Sequence, residues 1–117
     1  VPPKITTEAG RAALGAVTDG TAGRPETATA VRYLLQLLAE KAPGATVEVR
    51  VPPFGATQII EGPRHTRGTP PNVVEMDAAT WIDLGTGRIG WTDAETGGSL
   101  RASGVRADFS YLLPLRP

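Results

Sequence analysis

Cysteine is absent from the 117 residues and histidine occurs once. These absences exclude a disulfide framework, a thiolate nucleophile, a zinc ribbon, an iron–sulfur cluster and any multi-histidine metal site. Charge of one sign is missing as well: 12 Lys+Arg face 12 Asp+Glu. The usual electrostatic reason to expect nucleic acid or an anionic membrane as partner is therefore lacking. Long hydrophobic runs are lacking too. The longest nearly apolar stretch, Ala30 to Ala39, is broken by Arg32 and Gln36 and falls well short of the roughly 20 residues a bilayer crossing needs, so integral membrane association is not expected. The opening Val-Pro-Pro-Lys has neither the apolar core nor the small-residue cleavage pattern of an export signal, and a cytoplasmic location is the expectation. Aromatics are sparse, with two each of Trp, Tyr and Phe. A chain of this length buries about two-thirds of its unfolded surface, enough for one core and not for two.

What is present reads as alternating helices and strands. Thr6-Thr7-Glu8 followed by Ala9, Ala12, Ala13, Ala16 and Val17 predicts a weakly amphipathic helix over 4–19, weakened by Gly10 and Gly15. Pro25 suits a first helical turn, and Val31, Leu34, Leu35, Leu38 and Ala42 recur at helical spacing, predicting a helix over 25–42 that Pro43-Gly44 ends. From Thr46 the period falls to two, with Val47, Val49 and Val51 alternating with Glu48 and Arg50. Pro52-Pro53-Phe54-Gly55 turns the chain into a returning strand over 56–60, and 61–71 carries too many breakers for a regular element. Asn72 to Met76 reads as a short strand, Asp77 as the cap of a helix containing Trp81, Ile82 and Leu84, and Thr92-x-x-Glu95 as the capping box of another. Two segments, 100–103 and 105–109, separated only by Gly104, finish the sheet. This order predicts an α+β domain with helices against one sheet.

The second half reads Asp77-x-x-x-Trp81-x-x-Leu84-x-x-Gly87, then Trp91-x-x-Ala94-x-x-x-Gly98-x-Leu100-x-x-x-Gly104. This resembles the sterol carrier protein superfamily. The block Val49-Arg50-Val51-Pro52-Pro53-Phe54 and the stretch from Glu61-Gly62-Pro63-Arg64-His65 through Arg67 to Glu75 are similar to the small sterol-carrier-like proteins of high-GC Gram-positive bacteria. The resemblance covers about 24–115, which leaves 1–23 as an N-terminal helical extension of a single 1–117 domain. It implies a sterol-carrier-like fold, with a five-stranded mixed sheet, helices packed on one face and an apolar cavity. The function implied is non-enzymatic carriage of an apolar or amphipathic small molecule, such as a lipid, acyl chain or isoprenoid, with no cofactor. Related domains are also appended to maleylpyruvate-isomerase-type enzymes, which implies an alternative: an accessory or regulatory module that engages a protein partner or forms a homodimer.

Candidate residues fall in two groups. Arg50, Glu61, Arg64, His65 and Arg67 form a polar cluster able to hold an anionic head group, since arginine forks bind carboxylate or phosphate bidentately. The competing reading is a solvated loop whose arginines pair with Glu48, Glu61 or Glu75. Leu35, Leu38, Phe54, Ile60, Val74, Trp81, Leu84, Ile89, Trp91, Leu100 and Phe109 are the candidates for an apolar cavity wall, and equally for an ordinary core. No catalytic residue is expected: Ser99, Ser103 and Ser110 lack a nucleophile-elbow context, and a lone His65 between arginines is a poor general base. Asp77, Asp83, Asp93 and Glu95 are explained by capping or exposed helix faces. Gly85-x-Gly87-x-x-Gly90 ends a helix where a dinucleotide fingerprint must begin one.

Overall fold

Short polar side chains and glycines set the helix ends. Thr6 Oγ1 accepts the Ala9 N–H at 3.1 Å, and Gly20, at φ 76°, closes the first helix, α1 (Thr7–Asp19). Glu26 reaches back to accept the Gly23 N–H at 2.7 Å and opens α2 (Arg24–Lys41), with Pro25 in its first turn. The structure is a computed structural model that describes residues 3–62 and 71–117. After α2 come β1 (Val47–Val51), β2 (Gly55–Ile59), β3 (Asn72–Met76), α3 (Ala78–Thr86), α4 (Trp91–Thr96), β4 (Leu100–Ser103) and a 3-10 turn over Ser110–Leu112. Asp77 caps α3 as its position predicts, with Oδ1 accepting the Thr80 N–H at 2.8 Å. The short helix α4 begins at Trp91, after Gly90, instead of being capped by Thr92. Its first residue is buried against Phe109, with ring centroids 4.8 Å apart, and the helical turn starts two residues earlier than the capping-box spacing suggests. No described helix is long and apolar enough to cross a membrane.

The sheet is mixed and has four strands among the described residues, in the order β2-β1-β3-β4. β1 pairs antiparallel with β2, from Val47↔Ile59 to Val51↔Gly55, and parallel with β3, from Val47↔Asn72 to Arg50↔Glu75. β3 pairs antiparallel with β4, from Val73↔Ser103 to Met76↔Leu100. The five-stranded expectation is corrected here. Residues 105–109 form no strand, because Gly104 (φ 110°) turns the chain over the start of β3, where a side chain would come within 2.3 Å of Asn72 Oδ1. The Arg106 N–H then bonds Asn72 Oδ1 at 2.9 Å, and Ala107 and Phe109 enter the core.

Val47, Val49, Val51, Val74 and Met76 share one core with Leu34 and Leu38 of α2 and Trp81 and Leu84 of α3. The opposite sheet face carries ion pairs between Arg50 and Glu48 and between Arg101 and Glu75. Where the chain leaves β2, Ile60 adopts φ 70°, a strained value for a β-branched residue. Its N–H donates to Ala42 O at 2.8 Å and its carbonyl accepts from Thr46 at 3.0 Å, which hold it there.

α1 lies on α2 through Gly10, where a Cβ would stand 2.3 Å from Tyr33 Cγ. Gly10→Ala would gain about 1 kcal/mol of helix propensity, but Tyr33 is 2% exposed and has no room to yield. Overpacking of this kind costs about 1–3 kcal/mol, and a contact this short belongs at the upper end. The expected net loss is about 1–2 kcal/mol by urea denaturation. An unchanged midpoint would mean that α1 shifts freely on α2.

Candidate functional site

The face of α2 that carries Thr29, Arg32, Leu35 and Gln36 follows the i, i+3, i+4 spacing that stacks side chains on one side of a helix. That face meets the tip of the β1–β2 hairpin, Phe54 to Thr57, and the segment Pro3 to Ile5, and the three enclose an open groove of about 620 Å³. Leu35, 4% exposed, belongs to both core and groove. Gly55 lets the hairpin close on it, since a Cβ there would already touch Leu35 Cδ1 at 3.4 Å. Ile5, Phe54 and Ala56 supply the remaining apolar wall.

Polar contacts fix each wall. The Phe54 N–H donates to Val51 O at 2.9 Å and closes the hairpin turn. Arg32 Nε donates to Phe54 O at 2.8 Å, tying the turn to α2. The Arg24 guanidinium stands 5.2 Å from the Phe54 ring centroid, within cation–π range. The Gln36 side-chain amide makes two bonds with one residue: Oε1 accepts the Ile5 N–H and Nε2 donates to Ile5 O, both at 2.9 Å. Lys4 pairs with Glu40 at 2.8 Å. Hydrogen bonding to Glu40, followed by its charge, holds the Lys4 ammonium above the usual lysine range.

The residues singled out in the sequence scatter over the fold. Leu35 and Phe54 line the groove. Leu38, Val74, Trp81, Leu84, Leu100 and Phe109 are buried in the core, with Ile60 and Ile89 packed partly buried against it. Leu84, Ile89 and Trp91 also line a smaller depression of about 290 Å³ with Leu113 and Pro114. Trp91 Nε1 is buried and has no hydrogen-bond partner among the described residues, and its ring meets Phe109 at an interplanar angle of 75°. Arg50 is held by Glu48 on the outer sheet face. Glu61 is exposed two residues past the Val47↔Ile59 pair, whereas Arg50 is three residues along β1 the other way. At roughly 3.3 Å per residue the strand keeps them on the order of 10 Å or more apart. Arg64, His65 and Arg67 lie outside the described residues. No group of His, Asp or Glu among the described residues could hold a metal ion.

Sequence reasoning did not select Ile5, Arg24, Thr29, Arg32 or Gln36 as site residues. A signal for two of them was present, because Arg32 and Gln36 interrupt the apolar run of α2 four residues apart and so share a helix face. No curated protein matches the chain at a significant level. The family described as bacterial SCP ortholog matches residues 23–115, from the cap of α2 to the buried Leu115, and the chain belongs to that family.

Proposed function

We propose that this protein binds an apolar or amphipathic small molecule, such as a lipid, acyl chain or isoprenoid, non-covalently and without chemistry. The reading rests on the groove beside α2, where the apolar side chains of Ile5, Leu35 and Phe54 line an open volume of about 620 Å³. Concave sites of a few hundred Å³ with apolar walls and a few fixed polar groups are the usual form of small-molecule sites. Membership of a family named for a carrier supports the same class of ligand.

Native mass spectrometry with organic extraction, on protein purified without detergent from its own host, tests this reading. The expected result is a stoichiometric adduct that extracts as a lipid-like molecule. Thr29→Trp, which fills the groove from the half-buried face of α2, is expected to weaken recapture of the extracted molecule by about tenfold or more. A clean apo mass, or recapture unaffected by Thr29→Trp in a folded variant, would overturn the assignment to this groove.

A further inference from the structure

The polar lining of the groove is electrically one-sided. Lys4 and Arg32 line it, and no carboxylate does among the described residues. The two cations are not equivalent. Lys4 is turned to Glu40, which neutralises it at 2.8 Å. Arg32 spends Nε on the Phe54 carbonyl, and among the described residues neither terminal Nη has a hydrogen-bond partner. That single bond fixes the plane of the guanidinium and leaves two parallel donors free, the arrangement that grips an oxyanion bidentately. Arg24, over the Phe54 ring at 5.2 Å, adds positive charge at the hairpin tip. Thr29, one turn before Arg32, brings a hydroxyl to the same lining. Ile5, Leu35 and Phe54 supply apolar surface to the same groove.

Resting on the small-molecule reading above, we propose that the groove selects amphiphiles with an anionic head of the carboxylate type, held by the terminal donors of Arg32 with the tail along Leu35 and Phe54. A neutral amphiphile of the same length meets the same apolar wall and leaves the guanidinium without its partner. Discrimination therefore comes from the head and not from the tail. An exposed bidentate pair of this kind is expected to separate charged from neutral ligand by about tenfold, and less at high salt.

Isothermal titration calorimetry of the full chain with decanoate and with 1-decanol, both below their aggregation limits, tests the proposal. The expected result is decanoate binding about tenfold tighter than decanol at low salt, with the ratio collapsing to about one in Arg32→Gln and partly restored in Arg32→Lys. Equal affinities of the two probes for the unmodified chain would overturn anion selection while leaving the small-molecule reading in place. Binding of neither probe would count against both. If Arg32→Gln weakened both probes by one common factor, Arg32 would be holding the hairpin in place and not the head group, which also overturns the proposal.

Discussion

Trp81→Ala is expected to destabilise the protein by about 3–5 kcal/mol. The indole is completely buried, donates from Nε1 to Val31 O at 3.2 Å, and meets Phe109 edge-on with centroids 6.3 Å apart. It therefore joins α3 to α2 and to the C-terminal segment at one point. Truncation removes the largest of the fully buried side chains and leaves a cavity that three independent elements would have to close. For a domain of this size the melting temperature should fall by roughly 10–20 °C. Trp81→Phe keeps most of the apolar volume and removes the N–H donor, so it should cost well under half as much. A loss below about 1 kcal/mol for Trp81→Ala in chemical denaturation would mean that α3 does not pack as described.

Asn72→Ala comes next, at about 2–5 kcal/mol. Asn72 is 3% exposed and uses both ends of its amide, with Nδ2 donating to Thr46 O and Oδ1 accepting from Arg106, each at 2.9 Å. The first bond holds the start of β1 against the start of β3, and the second holds the turn after β4 over both. Alanine strands a carbonyl and an N–H, each costing about 1–3 kcal/mol when left buried without a partner. The Arg106 N–H is the more accessible of the two, since Arg106 itself is exposed, so water can replace that partner and the lower half of the range is favoured. Hydrogen exchange should show faster opening at Arg106 than in β1. Equal exchange at both in the variant would remove Asn72 as the link between them.

Much of the fold was legible because its signals act over a few residues. Val31, Leu34, Leu35 and Leu38, bounded by Pro25 and Pro43, specify α2 to within a residue at either end, and Asp77 caps α3 where expected. The alternation of Val47, Val49 and Val51 marks the buried face of β1. The same logic misread residues 105–109. Val105, Ala107 and Phe109 alternate like a strand, yet Val105 is fully exposed while Ala107 and Phe109 are buried. Alternation describes a segment's own period and cannot say whether a partner edge is present. Here the turn at Gly104, fitted against Asn72, carried the segment off the sheet and into the core.

The site divides along the same line. Leu35 and Phe54 were visible as apolar residues of unknown side, and Arg32 and Gln36 as polar interruptions in an apolar helix. That they line one groove was not visible. The sequence by itself determined the limits of α2, the cap of α3, the buried face of β1 and the chemistry that cannot occur without cysteine or a second histidine. All of these follow from composition or from interactions between residues a few positions apart. Only the tertiary structure decided that there is a groove and that, among the described residues, Lys4 in it has a carboxylate partner and Arg32 has none. Its walls come from residues 3–5, 29–36 and 54–57, which are brought together by Arg32 bonding Phe54 and Gln36 bonding Ile5 across 22 and 31 residues of chain, and no local pattern encodes contacts at that separation.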